Sequence, residues 1–355
     1  MDLTVPPGQE LHLCQLATLP NDAAVDATSF SHQYTKGSHH FLLIATDLDA
    51  IPADLTGQYD CTSGNEPIMA HARGVLYGAQ TPTGTFPLPS GVGFRFAPKQ
   101  VVILQTHYLN PSANAVPAKV ELGIDLAKPG TVHEQAGFMF FYDPFIYVGA
   151  NAAGATGLTC PVPDDIQIIS ASTHYHQRGT GMRVWNDAPS EPAGAPFFET
   201  HDWDHPEDFH GPREVKAGSK LRFECTYVNP ESADVFEGPN AKTSEMCVFG
   251  GLYYPKRTTA FENCAGRSIV GAGAVACGGL LECVRGCPGS DFPVGPCSQK
   301  CIASGCGGAT DALLRFSECV QRECAEGCAA GSCEACSVTM CGESLQSCTT
   351  NACSP

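Results

Sequence analysis

Fourteen of the twenty cysteines in this 355-residue chain fall within residues 277 to 353. That crowding constrains the fold more than any other feature. The stretch from Ala265 is built of Gly, Ala, Cys, Ser and Glu, too little apolar volume for a core of its own, so it must be held by cross-links or by metal. The other six cysteines are Cys14, Cys61, Cys160, Cys225, Cys247 and Cys264. An even count at this density suits an oxidising compartment, where cysteines pair; a cytosolic metal-thiolate protein is the competing reading. The opening "MDLTVPPGQE" has neither a basic n-region nor an apolar h-region. We read Met1 as a start residue placed after a removed secretory signal and expect a secreted, periplasmic or cell-surface protein. There is no run of eighteen apolar residues, so no membrane span is expected. A formal charge of −17 without a basic cluster argues against nucleic acid and anionic membrane as partners.

Upstream of residue 264 the chain reads as β. "HFLLIATDL", "KQVVILQTHYL", "AKVELGIDL", "AGFMFFYDPFIYVG", "DDIQIISASTHYH", "TGMRVWND", "SKLRFECTYVN" and "SEMCVFGGLYYP" are short and rich in β-branched and aromatic residues. Gly, Pro, Asn and Asp bound them, and no helical period intervenes. The expected fold is all-β: two tandem antiparallel, jelly-roll-like β-sandwiches, residues 1–127 and 128–264, followed by a small disulfide-rich helical module, residues 265–355. The break is placed in "DLAKPGTVHEQ", residues 125 to 135.

Within the module, "ALLRFSECVQRECAEGC" has helix formers at helical spacing, and "ECVRGC" at 282 to 287 is echoed by "ECVQREC" at 318 to 324. Residues 283 to 301 read C-x3-C, nine residues, C-x3-C. Positions i and i+4 share a helix face, and Pro288, Gly289, Pro293, Gly295 and Pro296 make a turn between the pairs. Two antiparallel helices stapled by Cys283–Cys301 and Cys287–Cys297 satisfy that spacing. A metallothionein-like copper store is the alternative.

The histidines carry the chemistry. His174 and His176 in "SASTHYHQ" point the same way if the segment is a strand. "GSHHFLL" supplies His39 and His40, "LQTHYLNP" supplies His107, and "TSEMCVFG" places Met246 beside Cys247. His39 and His40 are neighbours and on a regular strand face opposite ways; to hold one ion they need an irregular backbone or different ring nitrogens. His12, His32, His71, His133, His201, His205 and His210 lie in segments that look like loops or turns, and are expected at the surface.

In chain order these are HH, H on a strand, H-x-H, then Met next to Cys. That set resembles the copper type II ascorbate-dependent monooxygenases, the family of dopamine β-hydroxylase and peptidylglycine α-hydroxylating monooxygenase, over about residues 10 to 264. "LPSGVGFRF" ahead of "ILQTHYLNP", the opening "AGFMFFYDPFIYVG" and H-x-H-x-x-G completed by Gly179 belong to the resemblance; the cysteine-rich tail does not. By resemblance His39, His40 and His107 bind an electron-donating copper on the first sandwich, and His174, His176 and Met246 bind the oxygen-activating copper on the second. The donor types fit: imidazole serves both copper oxidation states, a soft thioether favours Cu(I), and three protein ligands leave a position open. The resemblance also implies the bridges Cys225–Cys247 and Cys160–Cys264, leaving Cys14 with Cys61. Copper, two ions per chain, and ascorbate or a similar reductant are the cofactors it implies.

Departures from the family fall on the substrate side. The amidating enzyme has an Arg two residues before H-x-H and an Asn and a Tyr two and four residues after the Met; here these positions are Ser172, Val248 and Gly250. "HYLNP", "MCV", "YYP" and "HDWDHPEDF" lean towards the dopamine β-hydroxylase side, yet nothing in the sequence identifies an amine site. The expected activity is insertion of one oxygen atom of O2 into a C–H bond of a small organic or peptidic substrate. A non-enzymatic secreted copper carrier or store is the rival, and it needs most tail cysteines free or metal-bound.

Overall fold

Strand periodicity and burial agree along the chain. In "ELHLCQLAT" alternate residues are buried, and the same period of two recurs in "KLRFECTYVN", as expected where one strand face meets a core. The computed structural model describes residues 2–35, 37–62, 66–188, 194–258, 261–264, 273–288, 295–329 and 331–353. The first half contains β1 (Asp2–Val5), β2 (Glu10–Thr18), β3 (Val25–Tyr34), β4 (Ser38–Thr46), β5 (Gln58–Asp60), β6 (Ala72–Ala79), β7 (Thr83–Pro87), β8 (Val92–Phe96), β9 (Val101–Leu109), β10 (Val116–Leu126) and β11 (Glu134–Gln135). One sheet runs β1-β10-β3-β8-β11 with β7 also on β3; the other runs β5-β2-β9-β4-β6. Phe30, Phe94, Phe96, Tyr77, Val102 and Tyr108 fill the space between them. The outer face of the second sheet is also covered. Cys14, Leu16 and Ile103 pack there under Leu55 and Ile68, tied down by Cys14–Cys61.

The second half contains β12 (Gly137–Tyr142), β13 (Tyr147–Val148), β14 (Ala152–Pro161), β15 (Ile166–Tyr175), β16 (Gly179–Asp187), β17 (Phe198–Thr200), β18 (Phe209–Val215), β19 (Lys220–Asn229), β20 (Val235–Phe236), β21 (Cys247–Tyr254) and β22 (Asn263–Cys264). Its sheets are β18-β15-β21-β12-β22 and β14-β19-β16-β17, with β13-β20 as a small ribbon. Met139, Phe141, Met182, Phe223 and Phe249 lie in their shared core. Cys225–Cys247 and Cys160–Cys264 cross from one sheet to the other.

The helices follow: α1 (Cys277–Arg285), α2 (Pro296–Ala303), α3 (Gly307–Ala329), α4 (Cys333–Met340) and α5 (Gly342–Thr350). The chain is thus mostly β with a disulfide-rich helical C-terminal region, as expected. Cys283–Cys301 and Cys287–Cys297 join α1 and the turn after it to α2; Gly289 and Pro293 of the expected turn lie outside the described residues. Five more bridges hold the rest, among them Cys277–Cys348, and no cysteine is free. The module's small core of Cys277, Leu280, Ile302, Leu313 and Cys348 takes in Phe145 from the second half. Lys300 pairs with Asp234 at 2.9 Å, and Gln299 Oε1 accepts a hydrogen bond from the Glu237 amide at 3.0 Å.

Candidate metal centre

Three neighbouring strands set one row of histidines. On β2, β9 and β4, His12 lies opposite His107, and His107 opposite His40. Their rings touch across the ladder: His12 stacks on His107 at 4.9 Å between centroids, and His40 meets His107 edge-on at 5.0 Å. His39 has no place in a regular ladder. The register steps from Ser38↔Tyr108 directly to His40↔His107, which makes His39 the extra residue of a bulge. That irregularity lets two adjacent histidines share one side of the sheet. His39 is fully buried, with its ring 5.2 Å from His107 and 5.5 Å from His40.

Two histidines expected at the surface are not there. His12 is 5 % exposed because the period of two on β2 puts it on the buried face of Cys14 and Leu16. His32 is 4 % exposed on β3, with Nδ1 on the Tyr77 hydroxyl at 2.7 Å and Nε2 on the Thr81 carbonyl at 2.9 Å. It is a core histidine with both ring nitrogens used. His133, His201, His205 and His210 are exposed, and His71 is half-buried.

On the second half, β15 ends at Tyr175 and carries His174, with His176 just beyond. Tyr175 points into the core between them. The turn that follows needs glycine: a Cβ at Gly179 would lie 2.0 Å from the Tyr175 ring. Each ring is oriented through Nδ1, His174 by Gln80 Oε1 at 2.8 Å and His176 by the Ser244 carbonyl at 3.0 Å. Both Nε2 atoms are buried without a hydrogen-bond partner. Met246 stands directly before β21. Its carbonyl accepts from the Tyr227 hydroxyl at 2.7 Å, and its neighbour Cys247 is bridged to Cys225. The Glu245 carboxylate accepts from the His176 amide at 3.0 Å and the Arg178 amide at 2.9 Å.

The two halves bring these residues into one cluster. His39, His40 and His107 place ring nitrogens within 4.8 Å of one another, and so do His39, His174 and His176. His174 sits 5.0 Å from His39 and 4.9 Å from His40 between ring centroids. A cavity of about 660 Å³ opens beside them, walled by His12, His40, Gln80 and Gln105 from the first half and by Ser172, His174, Asp208 and Met246 from the second. Val248 and Gly250 also face it. The three sulfurs of Cys287, Cys297 and Cys301 lie equally close, but all are held in disulfides.

Burial governs the charge here. Desolvation pushes His12 and His176 down to about 3, and His40 and His174 well below the ordinary imidazole value, helped by neighbouring rings. His39 is lowered for the same reason, against the nearby Asp204 carboxylate. Neutral imidazoles are the form that can donate a lone pair to a metal. The outer partners are carboxylates and amides. Glu10 Oε1 holds His107 Nε2 at 2.8 Å and also accepts from the Ala241 amide at 3.1 Å, so it ties the first half to the segment leading to Met246. Burial opposes its ionisation, but the His107 hydrogen bond keeps it below the usual glutamate range. Asp208 is pushed up by burial, an effect opposed by the Ser172 and Thr81 hydroxyls and the His210 ring beside it.

Sequence reasoning missed Glu10, Gln80 and His12. Only the alternation in "ELHLCQLAT" could have signalled one of them, His12. The orphaned Nε2 atoms of His174 and His176 and the orphaned Nδ1 of His107 fit a metal with nitrogen preference. Paired with a nearby thioether, that donor set fits copper among the common ions.

Residues 153–269 match the model of the copper type II ascorbate-dependent monooxygenase C-terminal domain. The resemblance to that family is shown. The matched segment holds His174, His176 and Met246 with their anchoring bridges, whereas His39, His40 and His107 stand outside it. The family's copper and ascorbate dependence and its monooxygenase chemistry are what the match suggests for this segment. No curated protein matches the chain. Among solved structures, the major capsid protein P2 of bacteriophage PM2 overlaps 72 % of this chain and 98 % of its own at 8 % identity, with a TM-score of 0.27; so low a score carries no argument.

Proposed function

We propose that this chain is a secreted dicopper monooxygenase that inserts one oxygen atom of O2 into a C–H bond of a small organic or peptidic substrate, drawing electrons from ascorbate or a similar one-electron reductant. We divide it as 1–127, 128–264 and 265–355: a first sandwich with the electron-transfer site, a second with the oxygen site, and a disulfide-stapled module. The observation that carries the reading is the pair of buried histidine triads, with free ring nitrogens, beside a cavity that Met246 also lines.

His39, His40 and His107 would hold one copper, and His174, His176 and Met246 the other. Copper, when bound, supplies one-electron transfer and the activation of O2. The protein supplies geometry. Gln80 and the Ser244 carbonyl orient the His174 and His176 rings, Glu10 orients His107, and the disulfide at Cys247 fixes the backbone from which Met246 hangs. The cavity offers mostly apolar walls with Asp208, Ser172 and Gln105 as polar points for a substrate. The carrier or store reading is disfavoured because none of the tail's cysteines is free to hold metal. Copper-loaded protein should contain two ions per chain. His107→Ala should lower that count while the reduced protein still binds carbon monoxide. One copper per wild-type chain would refute the two-site reading.

A further inference from the structure

The cysteine-rich module grips the second sandwich at the small ribbon of β13 and β20, and that ribbon leads to Met246. Resting on the proposed role of Met246 at a copper, we propose that the module is a positioning element for this thioether, with Gln299 as its positioning residue. The grip is made by α2. A helix of eight residues is not stable by itself in water. The bridges Cys283–Cys301 and Cys287–Cys297 staple it to α1, and Gln299 and Lys300 stand between the two stapled cysteines of α2. Gln299 is buried, and its Oε1 accepts from the Glu237 amide at 3.0 Å, an amide shared with the Ile146 carbonyl at 3.2 Å. Lys300 pairs with Asp234 Oδ2 at 2.9 Å, and Asp234 Oδ1 accepts from the Ala150 amide at 3.0 Å. From the other direction Phe145 enters the module's core among Leu280, Ile302 and Leu313.

Backbone hydrogen bonds run from these anchors to the residues on both sides of Met246. On the upstream side, Glu237 bridges Glu245: the Glu245 amide donates to the Phe236 carbonyl at 2.9 Å, and the Gly238 amide donates to the Glu245 carbonyl at 3.1 Å. On the downstream side, the Asp143 amide donates to the Cys247 carbonyl at 3.0 Å, while the Asp143 carboxylate accepts from the Phe145 amide at 2.9 Å. The bend that sends Phe145 into the module therefore also holds Cys247. His174 and His176 come from the end of one strand, with each ring oriented through Nδ1. Met246 has no such orienting bond to give: a thioether is a weak acceptor on a flexible chain. The place of its sulfur depends on the backbone that carries it, and the module holds that backbone at both ends.

The carbon monoxide stretching band of the copper-loaded, ascorbate-reduced full-length protein tests this, because its position and width report the ligands around the metal. Gln299→Leu keeps the bulk and removes the acceptor. It should shift or broaden the band and weaken carbon monoxide binding about tenfold, with the copper count unchanged. Gln299→Glu keeps an acceptor oxygen and should restore the wild-type band. If Gln299→Leu does not fold, Phe145→Leu, which trims the other anchor and stays apolar, decides by the same band. A wild-type band in the folded variant, even at a lowered melting midpoint, would overturn the positioning role and leave the module a stabilising element. A reduced wild-type protein without any carbon monoxide band would overturn the oxygen site itself.

Discussion

Met246 and Glu245 are adjacent, yet they act in different ways. The Met246 thioether is the only soft donor among the candidate ligands. Met246→Ile keeps the volume and apolar character and removes the sulfur. The imidazoles of His174 and His176 should still retain copper, more weakly, and the preference for Cu(I) should fall. The expected outcome is that carbon monoxide binding by the reduced protein is lost, while ascorbate still reduces a copper at the site proposed for His39, His40 and His107. An unchanged melting midpoint of the metal-free variant would show that the fold and the Cys225–Cys247 bridge are intact. Undiminished carbon monoxide binding would make Met246 a packing residue and leave the oxygen site in need of another third ligand.

Among the elements, the segment from β20 to β21 has the greatest reach. It receives support from the helical module, where Gln299 takes the Glu237 amide, and the Glu245 amide in turn donates to the Phe236 carbonyl at 2.9 Å. From there the Glu245 side chain clasps the backbone at the second histidine of H-x-H and at Arg178, and Arg178 closes the loop through the Lys242 carbonyl and Glu231, each at 2.6 Å. Burial pushes the Glu245 carboxyl up to about 7, in spite of the two amide donors and Arg178. Glu245→Ala removes the acceptor for two buried amides and strips Arg178 of its buried partner, a loss of about 3 kcal/mol. The partly exposed Glu231 moderates this by keeping one counter-charge near Arg178. A fall in the urea midpoint of metal-free protein, together with weaker copper retention at His174 and His176, is the expected pair of results. A midpoint equal to wild type would mean that the clasp holds nothing.

At the scale of the whole molecule, the two sandwiches meet through a cluster of buried imidazoles, and desolvation of several of them makes the metal-free protein acid-sensitive. His12 and His176 have folded-state values near 3, below the unfolded value of about 6.5. The unfolded chain takes up these protons first, so stability is full above pH 6.5 and is lost as pH falls towards 3. Each of the two groups costs about 1.4 kcal/mol by pH 5.5. The lowered values at His39, His40 and His174 act in the same direction. Denaturant titrations of metal-free protein should show this loss between pH 7 and 5.5, and His12→Phe should make the slope shallower. A flat profile would mean that the cluster opens to water before it unfolds. Bound copper competes with the protons and should protect the fold over the same range.

Much of this architecture follows from local sequence. Period-two burial and β-branched runs specify strands through contacts a few residues apart, so "DDIQIISASTHYH" and "SKLRFECTYVN" are readable as they stand. The two-residue spacing of His174 and His176 across the end of one strand is equally local. The C-x3-C pairs sit one helical turn apart, and the bridges Cys283–Cys301 and Cys287–Cys297 close over short separations of 18 and 10 residues. What the tertiary structure alone decided depends on register and on pairs far apart in the chain. His12 joins the cluster because β2 lies against β9 in one particular register, which no feature of "ELHLCQLAT" specifies. Glu10 reaches His107 across 97 residues and Ala241 across 231, and Gln80 reaches His174 across 94. Hydrogen bonds of that range leave no spacing to read. His39 shows both sides. Its adjacency to His40 demands an irregular backbone, which sequence can state. That the irregularity is a bulge, and that it sends the ring to a second triad on the other half, is decided only when two sheets have packed.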